Sequence, residues 1–177
     1  MERGRNVTLK QILAAAAVAV LAALPFAGQA APEPVTLAKI EHAAGALTVL
    51  GPDGTETVYS IDALEGLPTY SLRTKTPWRD APATFEGVLL RDLLAAHGLS
   101  DVEGITVTAE NDYRVTIPHQ IWAELDVLIA TRVDGAAHSR RARGPIQFVI
   151  DMDAYAAHGA VLEDHLVWMA ARIEPAQ

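Results

Sequence analysis

The 177-residue sequence contains no cysteine. Its absence excludes disulfide bridges, cysteine nucleophiles and metal sites with thiolate ligands. A thiolate is a soft anionic ligand, and neither hydroxyl nor ammonium side chains reproduce its bonding to a metal. The folded chain must therefore be stabilised by packing alone, without covalent cross-links.

Generic catalytic motifs are missing as well. The sequence has no GxGxxG or Walker pattern, no HExxH and no GxSxG. The sequence therefore contains no motif that would support binding of a dinucleotide or nucleotide, or the activity of a zinc protease or serine hydrolase. The six histidines are scattered rather than spaced as metal ligands: His42, His97, His119, His138, His158 and His165.

One acidic segment comes nearest to a site for a hard metal ion. It contains Asp151 and Asp153, followed by His158, Glu163 and His165. A metal site needs such side chains to converge, and this spacing does not supply the geometry. We therefore interpret the segment as a solvated acidic loop and predict no metal site.

The first thirty residues are typical of a secretory signal peptide. Three basic side chains precede an apolar run from Ile12 to Leu24, and Gly28-Gln29-Ala30 supplies small residues for cleavage. An uncleaved anchor is the alternative, but the apolar run is well short of the roughly 20 residues that a membrane span needs. We expect residues 1–30 to be removed and the mature protein to be periplasmic.

The mature chain is acidic. Cleavage removes three of the 14 Lys and Arg residues and one of the 22 Asp and Glu residues, which leaves 11 basic against 21 acidic residues, net −10. Such a charge argues against nucleic acid or an anionic membrane as a partner. We predict a mobile N-terminal tether over residues 31–46 and one domain over residues 47–177.

Hydrophobic patterning predicts an α+β fold, with a mixed β-sheet and short helices. Gly51-Pro52-Asp53-Gly54 between β-branched runs indicates a hairpin. Helices are predicted at 61–64, 88–97 and 120–125, and a loop at 78–84. Residues 163–173 are predicted as a last helix or a last strand. The remaining strands are predicted at 70–74, 105–109, 113–117, 127–130 and 146–150.

A basic cluster stands out against the acidic background. Arg140, Arg141 and Arg143 precede Gly144-Pro145, and Arg132 lies upstream. Guanidinium groups bind phosphate, sulfate or carboxylate bidentately, so four arginines around one loop would form an anion pocket. A solvated turn that pairs with nearby Asp and Glu explains the same residues, and the sequence leaves both interpretations open.

Two other segments are candidates for ligand contact. Asn111-Asp112-Tyr113 lies between two predicted strands, either at a pocket mouth or as an ordinary Asx turn. Arg73 and Lys75 precede Trp78, whose ring would stack a heterocycle or else anchor its loop to the core. We interpret Trp122 and Trp168 as core side chains.

The order of several short motifs along residues 47–174 resembles the molybdopterin-binding oxidoreductase domain of the sulfite-oxidase family, in a short stand-alone bacterial form. The resemblance implies an α+β fold with a mixed sheet, as in sulfite oxidases and the periplasmic methionine-sulfoxide reductase catalytic subunit. The motifs are the Trp78 loop, Phe85–Leu94, Asn111–Pro118, Ile129–Gly135, Gly144-Pro145 and Trp168–Glu174.

The resemblance also implies two losses. Catalytic members of that family bind molybdenum through a cysteine, whose position corresponds to residues 73–76, where this chain has Arg, Thr, Lys and Thr. After the Gly-Pro pair, Gln147 stands where catalytic relatives place an arginine, and Asp151 replaces their following proline. A metal ligand and a cofactor-facing cation are therefore missing.

Three hypotheses follow. The first is a cofactor-free periplasmic binding or sensory module that takes a small anionic ligand, or a periplasmic or membrane signalling or redox partner. The second is a molybdopterin-dependent oxidoreductase that transfers oxygen atoms, binds the pterin through Arg132, Arg141 and Arg143, and ligates the metal through oxygen. The third is a structural subunit beside a membrane protein, which would carry an apolar surface patch.

Overall fold

The computed structural model describes residues 30–176. The predicted signal peptide lies outside the described residues, apart from Ala30. No helix between residues 30 and 176 combines the length and the apolar character needed to cross a membrane. Eleven strands are present among these residues: β1 (Glu33–Val35), β2 (Ala46–Leu50), β3 (Glu56–Ser60), β4 (Thr69–Thr74), β5 (Ala83–Leu89), β6 (Gly104–Ala109), β7 (Arg114–Pro118), β8 (Leu128–Val133), β9 (Ala136–Ala137), β10 (Gln147–Val149) and β11 (Ala170–Pro175).

The strands form two sheets, and four short helices connect them. The first sheet has the order β1-β4-β5-β8-β10, with β9 added to β8, and every pairing in it is antiparallel. The second has the order β3-β2-β11-β6-β7, in which β11 is parallel to β2 and antiparallel to β6. The α-helices are α1 (Ile61–Leu64), α2 (Leu90–Ala96), α3 (His119–Glu124) and α4 (Met152–Ala157).

The α+β class predicted from the sequence is confirmed. The described residues form two sheets, of which the second mixes parallel and antiparallel pairs. The chain changes sheets at Met169, a residue with φ of 54°. Just before it, Phe148 N–H donates to the Val167 carbonyl beside β10, and just after it β11 pairs with β2 and β6.

The main core contains side chains from the helices and from both sheets. Alternation places Ile105 and Val107 of β6 in this core, while Thr106 and Thr108, which alternate with them, stay half-buried. A smaller core cluster includes Leu72, Phe85, Leu128 and Val149 of the first sheet. In β8, the residues from Leu128 to Arg132 are all buried, as expected of a strand covered on both faces.

Local signals predict most elements well. The hairpin is confirmed as β2 and β3, and Gly54 at its turn has φ of 85°, which glycine adopts without strain. Helix α2 begins at Leu90 rather than residue 88, because Val88 continues β5 and pairs with Ile129. The last segment is a strand, β11, and not a helix.

Residues 31–46, predicted as an N-terminal tether, are attached to the domain by strand pairing and by side-chain contacts. Strand β1 pairs with the edge strand β4, and the Thr69 hydroxyl donates a 2.6 Å hydrogen bond to the Val35 carbonyl. The imidazole of His42 lies 3.0 Å from the Glu65 carboxylate. An edge strand leaves backbone groups unpaired, and β1 satisfies some of them on β4.

Candidate functional site

A cavity of about 310 Å³ lies where the loop after β4, the β6–β7 turn and the segment before β11 meet. We call it the tryptophan cavity. Its volume is at the small end of the range for ligand pockets, about 300–1,000 Å³. Its lining residues are Trp78, Ala109, Asn111, Tyr113, Arg143, Glu163, Asp164, Leu166, Val167 and Trp168.

Arg143 is the basic side chain of the cavity. Its guanidinium carbon lies 4.2 Å from the ring centre of Trp78 and 5.2 Å from that of Trp168. Both distances are within the range of cation–π attraction, so the two indoles hold the cation between them. No carboxylate between residues 30 and 176 lies within ion-pair distance of this guanidinium.

The backbone fixes Arg143 at this place. Residues 140–142 form a short 3₁₀ turn, and Arg143 follows it in the left-handed conformation with φ of 80°. Its N–H donates to the Arg140 carbonyl at 3.1 Å, and its own carbonyl accepts from the Met169 N–H at 3.2 Å. The bond to Met169 joins Arg143 to the segment that carries Trp168.

Trp78 is held by an acidic side chain of the same cavity. Its indole Nε1–H donates to Oε1 of Glu163 at 3.1 Å. The loop that carries Trp78 is thereby connected to the segment before β11, although the two are far apart in sequence. Trp78 packs against the main core and also lines the cavity, so it anchors its loop and stacking of a heterocycle stays a prediction.

The β6–β7 turn contributes Asn111 and Tyr113, while Asp112 does not line the cavity. Oδ1 of Asn111 accepts a 3.3 Å hydrogen bond from the Tyr113 N–H, which is the geometry of an Asx turn. Partial burial, and then the neighbouring Asp164 carboxylate, raise the pKa of Tyr113. The phenol therefore stays protonated.

The four clustered arginines do not converge, and Arg143 alone of them lines the cavity. Arg132 is buried in β8 and binds Glu65. Arg140 donates to Glu110 and to the Ala44 carbonyl, and Arg141 is exposed. Of the two interpretations that the sequence leaves open, a single pocket of four arginines is not formed, because three of them lie elsewhere in the fold.

Arg73 and Lys75 are also outside the cavity. Leu72, Thr74 and Thr76 are buried, so the two-residue period of an extended chain exposes Arg73 and Lys75 to solvent. Their predicted role beside the Trp78 ring is taken instead by Arg143, which comes from a distant loop.

The acidic segment after residue 150 is a capped helix rather than a loop. Asp151 accepts hydrogen bonds from two N–H groups at the start of α4, and Asp153 lies in that helix. His158 bonds to Glu124, and Nδ1 of His165 accepts from the Leu162 N–H. Within the described part of the chain, no group of three or more His, Asp or Glu side chains is arranged to hold a metal ion.

Sequence reasoning missed Trp168 and Asp164. Trp168 is half-buried in the cavity rather than in the core, and its backbone bridges to Gln147. No local sequence pattern marks either residue as a cavity residue. The position of both depends on how the chain passes from one sheet to the other at Met169. The aromatic character of Trp168 is compatible with either environment.

A buried polar pair lies in the first sheet near this crossing. His138 Nε2 donates to Oε1 of Gln147 at 2.8 Å, and both residues are almost fully buried. The His138 Nδ1 and Gln147 Nε2 atoms have no partner between residues 30 and 176. Burial lowers the pKa of His138 despite its hydrogen bond to Gln147, so the folded protein holds this imidazole neutral.

We expect the protein to lose stability as the pH falls below about 6.5, the ordinary pKa of histidine. Below this pH, His138 and His165 bind protons in the unfolded chain but stay neutral in the folded chain. Burial lowers the pKa of His165 as it lowers that of His138. Each histidine contributes a slope of up to about 1.4 kcal/mol per pH unit, until the pH reaches its folded pKa.

Urea unfolding at several pH values, compared between the wild type and His138→Gln, measures this slope. The variant should show a smaller loss of unfolding free energy between neutral and mildly acidic pH, whatever its stability at neutral pH. An identical slope in both proteins would show that His138 titrates alike in the folded and unfolded states.

The sequence matches no protein-family model, and no curated protein matches it. Function is therefore inferred from the residues of the tryptophan cavity and from the resemblance in motif order.

Proposed function

We propose that this chain is an exported binding domain, with a molybdopterin-oxidoreductase-like fold that has lost molybdenum ligation. It binds a small ligand in the tryptophan cavity through an anionic group that contacts Arg143. The supporting observation is a guanidinium between two indole rings, with no carboxylate partner among the described residues. An arginine that serves only stability would be paired or solvated.

The geometry of Arg143 suits an anion. The guanidinium contacts the rings of Trp78 and Trp168 by cation–π attraction, which does not require its N–H donors to form hydrogen bonds. A carboxylate or phosphate accepts two such donors at once. Because the cavity is partly closed by apolar side chains, these hydrogen bonds are stronger than in open water.

The residues present do not fit the molybdenum site that the resemblance implies. At the position of the expected cysteine, Arg73 and Lys75 are cations and cannot ligate a metal ion. The Thr74 hydroxyl accepts a 2.9 Å hydrogen bond from the Met152 N–H, and Thr76 is 5 % exposed. Ligation through oxygen, as in the oxidoreductase hypothesis, would require this buried region to open.

The arginines assigned to the pterin in that hypothesis are also dispersed. Arg132 is committed to Glu65, and Arg141 lies outside the cavity. A binding role at Arg143 needs no such rearrangement. The binding hypothesis is therefore favoured over oxygen-atom transfer.

A structural role beside a membrane protein has less support. The large apolar side chains that are strongly exposed among residues 30–176 are Val58, Tyr113 and Leu162. Val58 lies on β3 and Tyr113 adjoins β7, at opposite edges of the second sheet. They do not form the single patch expected of a docking face.

Replacing Arg143 with asparagine is expected to weaken binding of 3-methylbutanoate and inorganic phosphate by about tenfold or more, because charge-assisted hydrogen bonds are lost. Asparagine tolerates the left-handed backbone at this position. Trp78 and Trp168 flank the site, so tryptophan fluorescence of the mature protein reports binding. Titration of wild type and variant with both anions gives the affinities.

Arg141→Asn is the matched control, because it removes the same charge from an exposed position two residues away. Equal loss in both variants would reveal nonspecific charge attraction and contradict the proposal. So would stoichiometric molybdenum and pterin in protein purified from a host that makes the cofactor, because molybdenum ligation would then be retained.

A further inference from the structure

We infer that the natural ligand of the tryptophan cavity is a small zwitterion of the α-amino acid type, with an ammonium group beside its carboxylate. This inference rests on the proposed binding function and deepens it. It follows from two carboxylates, Glu163 and Asp164, that line the same cavity as Arg143.

Each of the three charges lies beside an uncharged aromatic side chain. Trp78 donates its indole N–H to Glu163 at 3.1 Å, and the Tyr113 phenol lies near Asp164. The guanidinium of Arg143 is held by the ring faces of Trp78 and Trp168. The opposite charges of one small cavity are therefore kept apart by the surrounding aromatic side chains.

Among residues 30–176, no cation lies within ion-pair distance of Glu163 or Asp164. No carboxylate among these residues lies within that distance of Arg143. Each carboxylate offers about four lone-pair sites, of which the Trp78 indole uses one on Glu163. Acceptors therefore remain for an ammonium group, which has three N–H donors.

The net charge of the residues that line the cavity favours a ligand that carries both a positive and a negative charge. One guanidinium and two carboxylates give the cavity a net charge of −1, and the mature chain around it is acidic as well. A plain anion would meet repulsion from Glu163 and Asp164, whereas an adjacent ammonium group turns both carboxylates into partners. Ala109, Leu166 and Val167 supply apolar walls for a short aliphatic side chain.

The test compares two probes that differ only in the ammonium group, L-valine and 3-methylbutanoate. Calorimetric titration of the wild type should show L-valine binding about tenfold more tightly or better, the gain expected from a charge-assisted hydrogen bond. In the double variant Glu163→Gln/Asp164→Asn, this preference should disappear while 3-methylbutanoate binds at least as well. Both substitutions keep an oxygen that can accept from Trp78 and Tyr113.

Different results would overturn the zwitterion ligand and the proposed binding function. Equal affinities for L-valine and 3-methylbutanoate in the wild type, both lost in Arg143→Asn, would overturn the zwitterion and leave anion binding intact. Probe binding that does not depend on Arg143, or no binding of either probe, would overturn the proposed function together with this inference. A preference for L-valine that survives in the double variant would show that the carboxylates do not recognise the ammonium group.

Discussion

Replacing Glu65 with alanine is expected to lower the free energy of unfolding by about 3–5 kcal/mol, the cost of leaving a buried charge without its partner. The side chains of Arg132 and Glu65 are 4 % and 8 % exposed. Arg132 donates to both carboxylate oxygens, at 2.9 and 2.5 Å. Without Glu65, the guanidinium would remain in β8 with no carboxylate bound to it.

Glu65 also connects several parts of the fold. Its carboxylate accepts from the Thr131 hydroxyl at 2.6 Å and lies 3.0 Å from His42. Burial alone would raise the pKa of Glu65, but the hydrogen bonds from Arg132, Thr131 and His42 outweigh it and lower the pKa. The ion pair therefore stabilises the fold above the ordinary pKa of glutamate, and this contribution is lost as the pH falls through the lowered value.

Urea unfolding of Glu65→Ala at neutral pH measures the effect. Glu56→Ala is the control, because Glu56 pairs with Arg172 at an exposed position where a salt bridge contributes about 1 kcal/mol or less. Combining Glu65→Ala with Arg132→Met should recover part of the loss, because the unpaired charge is removed. A loss in Glu65→Ala no larger than in Glu56→Ala would refute this role.

The same ion pair explains why the arginines could not be assigned from the sequence. Arg132 stands in the buried run from Leu128 to Arg132, where a charge requires a partner. That partner is 67 residues away, in the turn after α1. Spacing along the chain places Arg132 with Arg140, Arg141 and Arg143, whereas tertiary contacts separate them.

Local interactions were predictable because they depend on neighbouring residues. The β2–β3 turn follows from Asp53 and Gly54. Asp134-Gly135 likewise forms a turn, in which both Asp134 and Gly135 have positive φ. Trp78 and the Asn111–Tyr113 turn were recognised as candidates by residue type. Their meeting with Arg143 and Trp168 depends on strand pairing and on the crossing at Met169, which no short motif encodes.

Replacing Gly87 with alanine is expected to destabilise the protein by at least about 3 kcal/mol, because the new methyl group has no room. A Cβ atom at this position would lie 2.0 Å from the Ile129 carbonyl oxygen and 2.8 Å from its carbon. Gly87 is in the middle of β5, at the register shift where β5 pairs with β8. Two paired backbones would have to separate to admit the side chain.

The neighbouring strands prevent this separation. On its other edge β5 pairs with β4, where Gly87 lies opposite Tyr70, so β5 cannot move away from β8 without breaking that ladder. Gly159→Ala is the matched control, because a Cβ there meets nothing within 4 Å and the backbone is not left-handed. Urea unfolding should place Gly159→Ala within about 0.5 kcal/mol of the wild type. If Gly87→Ala were as stable as Gly159→Ala, the close approach of β5 and β8 would not depend on the missing side chain of Gly87. The register shift would then have another cause.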